Sequence, residues 1–257
     1  MAKPNPVFID GDTLAFQAAC AKVEPGDDEV QIVLGRVKNS IQGILDACEA
    51  TDYKLYLSDD NRDTFRKTLN PQYKENRPAE KPDLLGTARA YMLDVWKGSI
   101  WKGLEADDAV AIEQTSFGGK GIIAAVDKDL LQIPGRVYNF KKRTMVQVTP
   151  LQGAYQLYKQ ALMGDRIDNI KGLEYCGEET MQKHSLHFSA RKGCGENAAN
   201  KILIHCHTEE NMYYAVHDAY LDTYGKSEYM DRLVFSMNMV YIIREYNQGP
   251  VLWRPPV

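Results

Sequence analysis

The chain has 257 residues, 44% hydrophobic and 26% charged, enough for one large domain or two small ones. No apolar run approaches the roughly 20 residues of a membrane span, and "MAKPNPVFID" lacks the apolar stretch of a secretion signal, so no membrane partner and a cytoplasmic location are expected. Five cysteines at irregular spacing argue against a disulfide framework, and a net charge of −4 argues only weakly against nucleic acid, because apart from nine acids singled out below the remainder is net basic.

In chain order, "PVFID" reads as a buried strand ending in Asp10, and "GDTLAFQAACAK" as a helix with Asp12 or Thr13 at its cap. "VQIVLGRVKNSIQGILDACEA" has helical apolar spacing, and "YKLYLSD" alternates as a strand does. Residues 61 to 82 are polar, basic and proline-bearing, the composition of a loop. "PDLLGTARAYMLDVWK" and "EADDAVAIEQTSF" read as helices, "GIIAAV" as a buried strand, "RVYNF-KKR-TMVQV" as two short strands around a basic turn, and "LQGAYQLYKQALMG" as a helix. Alternating strands and helices predict an α/β fold with a mainly parallel sheet. After residue 165 the strand signals stop, which predicts a helical subdomain at 165–257 beside a core at 1–164.

The chemistry lies in the acids. Asp10 and Asp59 end strands, and Asp127 and Asp129 follow one, at the rim where open α/β sheets build their sites. On an extended chain, Asp127 and Asp129 face the same side. Glu105, Asp107 and Asp108 open a helix among alanine, valine and isoleucine, and Asp165 and Asp168 lie one helical turn apart. Each has a bland reading as a cap, a loop acid or a helix-start preference worth a few tenths of a kcal/mol. As a group they need compensation, because packed carboxylates raise one another's pKa unless cations neutralise them. All-oxygen ligands suit Mg²⁺ or Mn²⁺ better than zinc. Two such ions about 4 Å apart can hold the attacking and leaving oxygens of a phosphodiester.

The motifs "FIDGDTLAFQ", "LSDDNRDTFR", "NPQYKENRP", "GLEADDAVA", "AAVDKDLLQI" and "LMGDRIDNIKG", in that order, resemble the bacteriophage 5′→3′ exonucleases and flap endonucleases and the nuclease domain of bacterial DNA polymerase I. "GCGENAANKIL" and the ending "MVYIIREYNQGPVLWRP" extend the resemblance. It implies a PIN-like core, two divalent metals on Asp10, Asp59, Glu105, Asp107, Asp108, Asp127, Asp129, Asp165 and Asp168, and a helical arch over about 61–97. Asp127 and Asp129 would be catalytic through those metals. In the arch, Arg62, Arg66, Lys67 and Lys81 would track phosphates, and Lys74 and Arg77 would meet the scissile region. Tyr73 would stack on a base beside the cut.

The resemblance also implies a helix–turn–helix that grips duplex phosphates through backbone N–H groups, often around K⁺. "YCGEETMQK" and "GCGENAANK" compete for it, and the second is favoured for keeping Gly193 and Gly195 and running into a helix with Lys201. Residues 174 to 192 then form an insertion. Cys176, His184, His187 and Cys194 bracket it and offer a Cys₂His₂ set for structural Zn²⁺, although their spacing fits no standard finger; chance proximity of small buried cysteines and surface histidines is preferred.

The expected function is a structure-specific 5′→3′ exodeoxyribonuclease and flap endonuclease. Its expected partners are DNA with free 5′ ends or flaps, RNA–DNA hybrids, and replication proteins of a phage. A PIN-type ribonuclease and a catalytically silent DNA-junction binder are the alternatives.

Overall fold

The computed structural model describes residues 5–20, 24, 28–59, 64–78 and 80–256. The chain divides into two compact units that are not contiguous in sequence. The first gathers Met1–Thr64, Pro78–Val148 and Ile242–Pro250; the second gathers Phe65–Arg77, Thr149–Tyr241 and Val251–Val257.

The first unit is built on a six-stranded sheet. Its strands are β1 (Pro6–Asp10), β2 (Asp52–Leu57), β3 (Ser99–Ile100), β4 (Ile122–Ala124), β5 (Gly135–Asn139) and β6 (Thr144–Val148), in the order β3-β2-β1-β4-β5-β6. Every neighbouring pair is parallel except the β5–β6 hairpin. The central strands carry buried apolar residues facing both sides because both faces of the sheet are covered. Successive side chains alternate between the faces. Val7, Ile9, Leu55, Leu57, Ile122 and Ala124 enter one core, and Phe8, Tyr56, Ile123 and Ala125 enter the other.

Helices α1 (Gly11–Cys20), α2 (Glu29–Ala47) and α4 (Leu85–Asp94) cover the first face, burying Leu14, Val37, Ile41 and Met92. Asp28 caps α2 by accepting the Gln31 N–H at 3.2 Å. Asp12 is not the cap of α1. Its carboxylate takes the Arg89 guanidinium at 2.6 Å and the Ser58 N–H at 3.2 Å, while Asp10 accepts the Asp12 N–H at 3.1 Å. Helix α5 (Ala106–Ser116) and the buried Ile242 fill the second face.

The second unit is mainly helical, with α3 (Phe65–Leu69), α6 (Pro150–Met163), α7 (Glu178–Lys183), α8 (Glu196–Leu203), α9 (Glu209–Tyr224) and α10 (Tyr229–Val240). A short antiparallel ladder, β7 (Gly164–Asp165) with β8 (Ile170–Lys171), carries the loop between them. Proline at the first turn and a Thr149–Gln152 capping box start α6. Leu157, Tyr158, Leu162, Val216, Tyr220, Leu233 and Met237 form the core of this unit. The five-residue α3 falls where the composition suggested only loop. It is anchored by Arg66, which is 2% exposed and donates to the carbonyls of Met239 (3.2 Å) and Tyr241 (2.6 Å) at the end of α10. Charge-assisted bonds to helix-end carbonyls let a guanidinium be buried there.

Backbones nearly touch at the base of the β7–β8 ladder. A Cβ added at Gly172 would lie 2.3 Å from the Gly164 nitrogen and 2.4 Å from the Leu162 oxygen. Gly43, exposed within α2, has open space around it. Gly172→Ala should therefore destabilise the protein by about 1–3 kcal/mol through overpacking. Gly43→Ala should stabilise it by roughly 0.5–1 kcal/mol through helix propensity. Urea unfolding of the two variants checks both signs.

Candidate functional site

Because β2, β1 and β4 run parallel and in register, with Asp10 beside Tyr56 and Ile9 beside Ala124, the carboxyl ends of these strands share one rim. Asp10 closes β1 and is 6% exposed. Asp59 follows β2, and Asp127 follows β4. The end of β2 is stitched to the start of α5. Ser58 Oγ accepts the Ala106 N–H at 2.9 Å, the Asp59 N–H reaches the Leu104 oxygen at 3.4 Å, and Asp59 Oδ2 accepts the Gly103 N–H at 3.4 Å. The sheet rim and the helix start are thus one structural neighbourhood.

At that helix start, Glu105, Asp107 and Asp108 present carboxylate oxygens that all lie within 4.8 Å of one another. Asp108 is fully buried. Its Oδ1 accepts the Ile243 N–H at 2.9 Å, and Oδ2 faces the Glu105 N–H at 3.4 Å. Asp107 Oδ1 accepts the Asp108 N–H at 2.7 Å. Asp107 is half-buried and Glu105 is 7% exposed.

Two unit charges at such a separation repel by about 3–4 kcal/mol at an effective dielectric of 20. The α5 N-terminus returns roughly 0.3–1 kcal/mol per charge. Backbone donors offset Asp108, since hydrogen bonds to a charged group contribute about 1.5–3 kcal/mol. The three carboxylates so close together repel one another, and a cation bound among them would reduce that repulsion. The donor set is all oxygen, so it fits a hard divalent ion.

The other expected acids are placed as follows. Asp127 and Asp129 are not on an extended chain: residues 128–132 form a 3₁₀ turn, and Asp127 caps it by accepting the Asp129 N–H at 2.9 Å. Both stay in the first unit, at the end of β4. Asp165 and Asp168 belong to the second unit. They stand on a turn rather than a helix, with Asp165 Oδ1 accepting the N–H groups of Ile167 (2.8 Å) and Asp168 (3.3 Å). Among the described residues, only the Glu105, Asp107 and Asp108 group meets within 4.8 Å.

In the second unit Asp168 is surrounded by cations. Arg77 donates to its Oδ1, Lys74 Nζ lies 3.7 Å from Oδ2, and the Tyr73 hydroxyl lies 3.2 Å from Oδ2. Tyr73 is 3% exposed, so its ring is packed in the core rather than open to stack on a base. Arg66, expected on phosphate, is spent on the α10 carbonyls described above, and burial removes it from any nucleic-acid surface. Lys67 Nζ reaches the Pro71 oxygen at 3.1 Å, and Lys81 is exposed. Arg62 lies outside the described residues.

The two glycine segments differ at their helix starts. At α7, the Asp222 carboxylate accepts the Thr180 N–H at 2.8 Å, and a Cβ on Gly177 would meet that carboxylate at 2.3 Å. An acid therefore already occupies the N-terminus of α7. At α8, the cap residue Gly195 is exposed and no side chain caps it. Gly193 precedes it at φ +141°, and Lys201 Nζ holds the Ser185 oxygen at 2.7 Å.

Of the four proposed zinc ligands, Cys176 and Cys194 are buried together, where a hydrogen bond from Cys194 lowers the Cys176 thiol pKa and raises its own. His187 is exposed and accepts the Ser189 N–H at 3.3 Å. His184 is half-buried, and burial together with Lys183 lowers its pKa. These four do not form a metal-sized group.

Sequence reading missed Arg89, Ser58, Asn76 and Asn169. Arg89 stands on the helix the sequence marked as amphipathic, a signal visible before folding; the others act through backbone partners that only the fold brings near.

The match to the 5′-3′ exonuclease, N-terminal resolvase-like domain covers residues 5–159. A 5′-3′ exonuclease of Buchnera aphidicola (subsp. Acyrthosiphon pisum, strain APS) is 28% identical over 199 residues, 69% of this chain and 69% of the relative. A DNA polymerase I of Mycobacterium tuberculosis (strain H37Rv) is 25% identical over 76% of this chain, which spans only 24% of that relative. Among solved structures, a mutant 5′-exonuclease of T5 superposes with a TM-score of 0.59 at 18% identity, covering 93% of this chain and 85% of the other. A bacteriophage T5 flap endonuclease, in a pseudo-enzyme–product complex with DNA and metal ions, superposes with a TM-score of 0.51 at 16% identity, covering 92% and 99%. The chain belongs to the 5′-3′ exonuclease N-terminal domain family.

Proposed function

We propose that this protein hydrolyses phosphodiester bonds of DNA at free 5′ ends and 5′ flaps, with a pair of divalent cations, Mg²⁺ or Mn²⁺, held by its acids. The observation that carries this reading is the Glu105–Asp107–Asp108 group, whose mutual repulsion calls for a hard cation at the sheet rim that also bears Asp10, Asp59 and Asp127. Divalent ions held there would supply Lewis acidity toward the phosphodiester and activate water. In this reading Asp10, Asp59, Glu105, Asp107, Asp108, Asp127 and Asp129 of the first unit are metal carboxylates, and so are Asp165 and Asp168 of the second.

The remaining roles belong to cations and backbone. Lys74 and Arg77 are already gathered at a carboxylate, Asp168, so an anionic group has a ready charge partner there. Such donors stabilise charge developing on a phosphate. The open start of α8, with Gly193, Gly195 and Lys201, is the better duplex grip of the two glycine segments, because the start of α7 already holds Asp222. A K⁺ ion between α8 and a phosphate would fit the same arrangement. The functional division proposed is a nuclease core through residue 164, with an arch over about 61–97, and a DNA-binding helical part from 165 onward; the compact units draw the line elsewhere, with 65–77 and 149–164 in the helical unit and 242–250 in the sheet unit. Trimming of primers, including RNA–DNA hybrids, in phage replication is the setting this activity suits. The T5 flap endonuclease complex with DNA and metal ions, which shares the fold, supports the substrate class.

A 5′-flap duplex labelled at either end, incubated with Mg²⁺ or EDTA, should be cut near the junction only with metal. Cleavage of the matching RNA instead would favour the ribonuclease alternative. Asp107→Asn and Asp127→Asn should each abolish cleavage while leaving duplex binding intact; a binder without catalysis would show no metal-dependent cutting even as wild type. Lys74→Ala should slow single-turnover cleavage by about 10²–10³-fold, as loss of one preorganised donor does.

A further inference from the structure

The segment that carries Lys74 and Arg77 is sewn to the loop that carries Asp165 and Asp168. Four contacts run in sequence between them, all within the second unit. Asn169 Nδ2 donates to the Gln72 oxygen at 2.8 Å, the Tyr73 hydroxyl lies 3.2 Å from Asp168 Oδ2, the Lys74 N–H donates to the Asp168 oxygen at 2.9 Å, and Asn76 Nδ2 donates to the Arg166 oxygen at 2.6 Å. The residues run 72, 73, 74, 76 on one side against 169, 168, 168, 166 on the other, as two antiparallel threads would.

At the centre of the seam Lys74 has φ +59°, a left-handed conformation costing a non-glycine residue roughly 1–2 kcal/mol. Such a residue persists only where its surroundings over-determine it. Two side-chain amides bracket it. Asn169 is itself left-handed at φ +55°, which asparagine tolerates, so its own backbone adds little strain. Neither amide titrates near neutral pH or carries charge, and each spends a donor on a backbone carbonyl of the opposite segment.

We propose that Asn76 and Asn169 are positioning residues for the nuclease reaction. They clamp the 70–77 turn onto the 165–169 loop, hold Lys74 in its strained conformation, and so fix Lys74 against the acidic loop. This rests on the function proposed above, in which Lys74 contacts phosphate.

The test uses the full chain, the Mg²⁺-dependent 5′-flap assay and a double-mutant cycle. Asn76→Ala and Asn169→Gly are combined; glycine keeps the left-handed backbone and removes only the amide. Single-turnover cleavage should fall by about tenfold to a hundredfold, the scale on which small misplacements act. Flap-DNA affinity should change far less than the rate. In a Lys74→Ala background the same pair should cost less than about twofold more, because the group it positions is gone. Unchanged cleavage in the double variant overturns the inference, and so does a loss that multiplies fully with that of Lys74→Ala. If the double variant does not fold, the single Asn76→Ala variant, on an exposed turn, carries the same cycle with the same two readings. Wild-type protein without metal-dependent cleavage would instead refute the function on which the inference rests.

Discussion

Like-charge repulsion among carboxylates at the start of α5 is the constraint on which the first unit depends. Glu105, Asp107 and Asp108 are each favoured at a helix start, but three carboxylates so close together repel one another. Backbone donors reach Asp108 through the Ile243 and Glu105 N–H groups and Asp107 through the Asp108 N–H. The segment around Ile243 is thereby tied to α5 from the far end of the sequence. Its neighbour Ile242 donates to Gln132 at 3.2 Å and fills the core beneath. In the function proposed, a divalent cation bound among these acids connects the fold to its chemistry.

The parallel sheet decides where the acids gather. Strands whose both faces are buried leave only their ends for polar chemistry, and parallel pairing puts those ends on the same side. Asp10, Asp59 and Asp127 follow from that topology. The second unit handles its own acid differently: Asp168 is answered by Lys74, Arg77 and Tyr73 from within the chain.

Much of this was legible in the sequence. Short apolar runs in "PVFID" and "GIIAAV" and alternation along "YKLYLSD" give the strands, because a sheet covered on both faces buries its central strands, and the helical spacings give α2, α4, α5 and α6. The acids at strand ends were legible because an aspartate after an apolar run has few bland explanations when several recur. Local geometry was not. Asp127 and Asp129 sit at a 3₁₀ turn and not on a strand, since Asp127 prefers to cap the Asp129 N–H. Arg66 and Tyr73 looked like nucleic-acid contacts because they lie in a basic, aromatic stretch. Composition does not reveal that α10 ends beside Arg66, or that Tyr73 completes a core. Asn76 and Asn169 lie inside the quoted motifs "NPQYKENRP" and "LMGDRIDNIKG", but nothing in their spacing tells that their amides bond distant carbonyls.

The most direct test of the account is to locate the cation itself. Crystals of the wild-type protein grown with Mn²⁺ would be examined by anomalous diffraction at the manganese edge. The account predicts a peak within coordinating distance of Glu105 and Asp107, lost in the Glu105→Gln, Asp107→Asn double variant. No peak there at millimolar Mn²⁺, or the same peak surviving in the variant, would contradict it.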